Sequence, residues 1–127
     1  MTKKIIKTKN APLPVGPYNQ AVAVGNLVYT SGQIPIDPKT NEVCVGGITE
    51  QAEMVLKNLK AVLEASGSSL EKIIKNTVFL KNMNDFAAMN AVYKEFFDEK
   101  TAPARSTIEV TRLPKDVLVE IEAVASL

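Results

Sequence analysis

No histidine occurs anywhere in the 127 residues. That absence removes the most frequent general base, the most frequent zinc ligand and every Ser-His or Cys-His nucleophile. Any chemistry must come from carboxylates, arginine, tyrosine, hydroxyls, backbone groups and water. Cysteine is almost missing too: Cys44 stands alone, so no intrachain disulfide can form, which suits a reducing compartment without demanding one. With no His or Lys neighbour in the motif sense, its thiol reads as inert. No apolar run approaches the roughly 20 residues of a membrane helix, and the start lacks the apolar stretch of a signal peptide. These features point to a cytoplasmic protein with no membrane partner. Nor is there an excess of either charge: 15 basic against 14 acidic residues leave +1, which gives no electrostatic case for binding nucleic acid. Lys3, Lys4, Lys7 and Lys9 form a small basic cluster, read as the solvated edge of an N-terminal strand, where charge discourages aggregation. A phosphate-binding glycine loop, a metal-ligand cluster and a dinucleotide fingerprint are all missing. Gly46-Gly47 reads as a turn. No metal or cofactor is expected.

What remains is ordinary globular material: 46% apolar and 23% charged residues, in a length that suits one domain spanning 1–127. Ile5 to Thr8 suggests a short strand, followed by a loop with Pro12, Pro14, Gly16 and Pro17 that excludes helix. Ala21–Val24 and Leu27–Thr30 flank Gly25-Asn26, a hairpin signal. Ile34 to Gly47 reads as an irregular connection. From Thr49 the period becomes helical: Ala52, Val55, Leu56, Leu59, Val62 and Leu63 fall on one stripe, and Gly67 suits a left-handed cap. Thr77–Leu80 is a compact strand. Asn84 or Asp85 can cap a second helix whose Phe86, Met89, Tyr93, Phe96 and Phe97 share a face. Ser106–Leu113 and Val117–Ala125 read as two strands joined at Pro114-Lys115-Asp116 in an antiparallel hairpin. The order is β-β-β-α-β-α-β-β, an α+β layer pair without repeats. Two such helices cover one face of the sheet, and the final strand is apolar in both directions, so the second face needs a partner. A homo-oligomer follows as an expectation.

Three residues resist a purely structural account. Glu120 shares a face of the most apolar strand with Glu122, and a buried carboxylate needs a cation, hydrogen bonds or a raised pKa. It either pairs in an oligomer interface or does chemistry. Arg105 stands at a strand mouth after Ala102-Pro103-Ala104, placed for a salt bridge or for bidentate carboxylate recognition. Asn90 interrupts an apolar stripe between Phe86 and Tyr93 and must bond something buried, either nearby backbone or a site. Tyr18, after the Gly16-Pro17 turn, is consistent with simple packing.

Several segments together resemble the RidA/YjgF family: Gly16-Pro17-Tyr18-Asn19-Gln20-Ala21, Thr30-Ser31-Gly32-Gln33-Ile34-Pro35, Asn90-Ala91-Val92-Tyr93, Pro103-Ala104-Arg105-Ser106, Arg112-Leu113-Pro114-Lys115-Asp116 and Val119-Glu120-Ile121-Glu122-Ala123. They span the chain from about Ala11 to its end, and their joint order is specific. The resemblance implies a chorismate-mutase-like α+β fold, with a mixed six-stranded sheet and two helices on one face. It also implies a homotrimer with clefts between subunits. The implied activity is hydrolytic deamination of reactive 2-imino acids, the tautomers of 2-aminoacrylate and 2-aminocrotonate, to pyruvate or 2-ketobutyrate and ammonia. By position, Arg105 would grip the substrate carboxylate and Glu120 would serve the attacking water. Tyr18, Ser31, Gly32 (through its N–H) and Asn90 would line the cleft. Many relatives carry cysteine where this chain has Thr107, so a thiol nucleophile there is unavailable. Deamination survives that change if only the backbone carbonyl is used.

Two further expectations concern the arrangement. If the final hairpin turns near Lys115, Glu120 lies opposite about Val110, roughly 16 Å from Arg105 along the strand. The two residues of one site would then come from different subunits. The alternative with the same cleft is a non-catalytic trimer that binds keto acids and regulates a partner. Glu120 separates the two, because a carboxylate sensor has little use for a second buried negative charge. The ribonuclease or translation-inhibitor roles described for some relatives find no histidine or aromatic-basic patch here.

Overall fold

Alternating and helical apolar patterns sort residues 2–127, those described by the computed structural model, into eight strands and two helices. β1 (Lys4–Ile6), β2 (Ala21–Val24) and β3 (Leu27–Thr30) form an antiparallel meander. Its tight turn at Gly25-Asn26 works because Gly25 takes φ 58 without a Cβ penalty. The connection expected to be irregular contains a small separate hairpin, β4 (Ile36–Asp37) with β5 (Glu42–Val43). Its loop is closed by Asn41 at φ 61, a conformation asparagine tolerates. Buried Asn58 on the first helix fastens this excursion by donating to the carbonyls of Ile34 and Ile36.

Helix α1 (Ile48–Ala65) buries the expected stripe, with Ala52, Val55, Leu56, Leu59, Val62 and Leu63 all at or below 1% exposure. Full burial of each larger side chain contributes roughly 1.5–3 kcal/mol. At its end Gly67 (φ 84) and Ser68 donate to Glu64 and Leu63, the double hydrogen bond that closes a helix through a left-handed residue. β6 (Ile73–Leu80) begins earlier than its compact apolar part suggested. Helix α2 (Phe86–Phe96) follows a 3-10 turn capped by Asn82, whose side chain accepts from the Asn84 N–H; neither Asn84 nor Asp85 caps the helix through its side chain.

The largest correction concerns β7 (Ala104–Glu109) and β8 (Val119–Ser126), which do not form a hairpin. The sheet order is β1-β2-β3-β8-β6-β7, so β6 lies between them, parallel to β7 and antiparallel to β8. The physical reason is α2: a strand-helix-strand crossover returns the chain parallel to the strand it left. The segment after β7 then carries the chain past β6. Its turn holds Lys115 and Asp116 at φ 55, with Asp116 gripped by both Arg112 Nε and Nη2.

Both helices lie on one face, as expected. On β8, Val119, Ile121, Ala123 and Ala125 are buried toward the core, while Glu120, Glu122 and Val124 alternate to the other side. Register places Ile5, Val22, Tyr29 and Val124 in one row on that open face, and Glu120, Phe79 and Ile108 in another. Ile5, Tyr29 and Ile108 are nearly half exposed there, more apolar surface than a sheet face usually leaves to solvent. Among the described residues no helix is long and apolar enough to cross a membrane.

Candidate functional site

The residues singled out in the sequence fall into two clusters on different faces of the sheet. The first is a cleft of about 540 Å³ lined by Tyr18, Ser31, Gly32 and Glu120, with Ile34 and Lys115 among its other walls. Its rim is built by polar clamps. Buried Gln20 accepts from the Thr8 N–H and donates to the carbonyls of Thr8, Ala11 and Pro12, fixing the proline-rich loop. Ser31 donates to the Asn19 carbonyl through its hydroxyl and to the Gln20 carbonyl through its N–H. Past β3, Gln33 and Ile121 exchange backbone hydrogen bonds of 2.8 and 3.1 Å, which press the Ser31-Gly32 segment onto β8 beside Glu120.

Glu120 is half-buried at the floor of this cleft and has no ion-pair partner among the described residues. Burial pushes its carboxyl above the ordinary range, and the like charge of Glu122 on the same face adds to the shift. The carboxylate lies against the Cα of Gly32: a Cβ there would meet the carboxyl carbon at 2.8 Å. A side chain at this position would displace the carboxylate; the constraint is space, since the φ of Gly32 is not positive.

The second cluster surrounds Arg105 at the mouth of β7. Its Nη1 donates to Asn90 Oδ1 at 2.8 Å, and its guanidinium carbon lies 4.6 Å from the Tyr93 ring centroid and 5.5 Å from that of Phe86. Both ring contacts are within cation–π range. The amide that interrupted the apolar stripe thus serves Arg105, not the helix backbone. Beside it lies a concavity of about 310 Å³, lined by Asn90, Tyr93, Phe97, Pro103 and Arg105. Arg105 makes no salt bridge among the described residues. Thr107 lies two residues along the same face of β7, outside the lining of either concavity.

Strand register separates the clusters. Arg105 is level with Asn76 and Ala123, whose side chains point to the helices; Glu120 is level with Phe79 and Ile108 on the open face. Two strand spacings and three residues of offset put the two backbones about 14 Å apart, with side chains diverging. The expectation that Arg105 and Glu120 of one chain cannot share a small ligand therefore holds, but its premise was wrong. The cause is opposite sheet faces, not a long offset along a hairpin.

Sequence reasoning passed over Asn76, Gln20 and Gln33. Asn76 is wholly buried and donates to the Tyr93 hydroxyl at 2.8 Å. Burial pushes the Tyr93 phenol up, opposed by that hydrogen bond and by the charge of Arg105. A signal was available: Asn76 has the same strand parity as Val78 and Leu80, so its amide had to enter the core.

Comparison with known proteins identifies the family. The chain is 59% identical over 123 residues to a RutC family protein of Pyrococcus horikoshii, covering 97% of each. It is 54% identical over 124 residues to the 2-iminobutanoate/2-iminopropanoate deaminase of Escherichia coli, covering 96% of each. The crystal structure of E. coli TdcF with bound serine superposes with a TM-score of 0.91 at 52% identity and covers 98% of both chains. Residues 8–127 match the family described as endoribonuclease L-PSP, and with these relatives the chain belongs to the RidA/YjgF family.

Proposed function

We propose that the protein is a cofactor-independent hydrolase that converts 2-imino acids, the tautomers of 2-aminoacrylate and 2-aminocrotonate, to pyruvate or 2-ketobutyrate and ammonia. The carrying observation is the divided site. A half-buried carboxylate on one sheet face and a pre-ordered arginine at the other each border a concavity, and neither has an ionic partner among the described residues of its own chain. A cyclic homotrimer in which open sheet faces meet would cover Ile5, Tyr29 and Ile108 and bring Arg105 of one subunit to Glu120 of the next. The 54% identity to the E. coli deaminase supports the reaction, and the bound serine of TdcF supports a ligand with an amino-acid framework.

The chemistry suits a site without histidine. A protonated imine is already electrophilic, so the enzyme has to hold it and deliver water. Arg105 fixes the carboxylate through two parallel N–H donors and so places C2. Glu120 orients a water and takes its proton as the water oxygen bonds to C2. Such general-base help contributes roughly 10²–10⁴-fold. The resulting carbinolamine takes up that proton on nitrogen; as the C–N bond breaks and ammonia leaves, the hydroxyl proton passes to the freed Glu120 carboxylate and the keto acid remains. Tyr18, Ser31 and the Gly32 N–H surround the developing polar groups, and Asn90 holds Arg105. Arrival of the guanidinium and iminium charges lowers the Glu120 pKa, favouring the ionised base.

The test is complementation. Enamines generated in situ by a serine or threonine dehydratase are trapped by semicarbazide, and the deaminase suppresses the trapped product. Arg105→Ala and Glu120→Ala are each expected to lose suppression. Mixed trimers of the two regain part of it, because some interfaces then carry both native residues. Mixed trimers with no rescue would refute the shared site. A wild-type protein that binds 2-ketobutyrate yet never suppresses the trap would be a keto-acid-binding trimer instead.

A further inference from the structure

Beyond a bulge between Ile73 and Lys75, strand β6 places its even-numbered residues toward the core, where Val78 and Leu80 are fully buried. Asn76 shares that face at 0% exposure, and its Oδ1 has no hydrogen-bond partner. An orphaned buried amide oxygen is a standing cost that an apolar residue of similar shape would avoid. The one bond this amide makes is from Nδ2 to the Tyr93 phenol oxygen. Tyr93 is itself braced against Phe97, with centroids 4.4 Å apart, and presents its ring to the Arg105 guanidinium. Arg105 is the register neighbour of Asn76 on β7, so Asn76, Tyr93 and Arg105 close a triangle across β6, α2 and β7.

From this geometry we infer that Asn76 and Tyr93 are positioning residues: they pre-order the Arg105 guanidinium for its carboxylate. An arginine loses much rotamer freedom on ordering, so an arm ordered before the ligand arrives binds more tightly than a free one. The ring packs 4.6 Å from the guanidinium carbon, Asn90 ties Nη1, and Asn76 anchors the hydroxyl end of the ring. The remaining donors are left to face the adjoining concavity. This inference rests on the reading of Arg105 as the carboxylate grip.

The test uses Asn76→Leu combined with Tyr93→Phe in the full-length protein, assayed by suppression of semicarbazide trapping. Removing both polar partners at once leaves neither stranded, so the fold is retained. The double variant is expected to raise KM by about tenfold with kcat within about twofold, the pattern of a lost binding contribution. Added to an Arg105→Lys background, the same pair is expected to cause no further loss, because it acts only through the guanidinium. A KM within twofold of wild type, or losses that multiply in the triple variant, would overturn the inference. Wild-type kinetics in Arg105→Lys alone would instead remove the carboxylate-grip reading, and this inference with it.

Discussion

Replacing Gly32 by alanine tests the geometry of the carboxylate cleft with a single methyl group. The added Cβ would fall on the Glu120 carboxylate, with the carboxyl carbon at 2.8 Å and Cγ at 3.0 Å. Gly32 is not in the left-handed region, so alanine meets no backbone penalty; the obstacle is the space held by Glu120. The group in the way is the end of a flexible side chain and can move aside. The stability cost therefore falls at the low end for overpacking, about 1 kcal/mol. In a chain of this size that lowers Tm by roughly 3–6 °C. The functional cost is larger. A general base displaced by on the order of 1 Å loses about a hundredfold. Gly32→Ala is thus expected to fold, melt a few degrees lower and lose about a hundredfold in kcat/KM in the trapping assay. In a Glu120→Ala background the same methyl meets no carboxylate and should change neither activity nor Tm. Wild-type activity in Gly32→Ala, or a further loss in the double variant, would show that the carboxylate over Gly32 is not the working group.

The open-face carboxylates yield two pH predictions. Burial and Glu122 raise the folded pKa of Glu120, so the fold favours its protonated form. That contribution is fully present below the unfolded value of about 4.3 and is lost as pH rises through the raised folded value. In an Arg105→Ala background, where no neighbouring guanidinium offsets the shift, permanently neutral Glu120→Gln should therefore raise Tm at pH 7, with the gap closing near pH 4; an equal gap at both pH values would contradict the assigned shift. Since Glu122 is the second cause of that shift, Glu122→Gln should move the acid limb of the kcat/KM profile to lower pH. An unmoved limb would mean that another group sets it.

Where local pattern decides structure, the sequence was legible. The α1 stripe, the Gly67 cap and the Gly25-Asn26 turn each follow from a few neighbouring residues, and each formed. The one-sided cover of the sheet also followed, because two helices cannot span both faces. Pairing was different. Adjacent strands with a proline turn between them read as a hairpin, and only α2, which precedes both strands, decides otherwise by returning β7 parallel to β6. Insertion of β6 between β7 and β8 is a non-local choice that no window on the last two strands contains.

The candidate site was legible as a list and illegible as an arrangement. Arg105 and Glu120 stood out by type and context, but which sheet face each occupies depends on parity across three strands, known only once the register is fixed. That parity changes what one chain can do. A site with both groups on one face could work as a monomer; under the proposed function, divergent groups make a single chain two incomplete halves. The apolar row on the open face and the unpaired charges then have a common explanation. In the proposed trimer, burying Ile5, Tyr29 and Ile108 against a second copy would drive association, and the same association would supply the cation that Glu120 lacks among the described residues of its own chain. On this reading assembly and activity are one event, and Glu120 gains its full basicity control only in the oligomer.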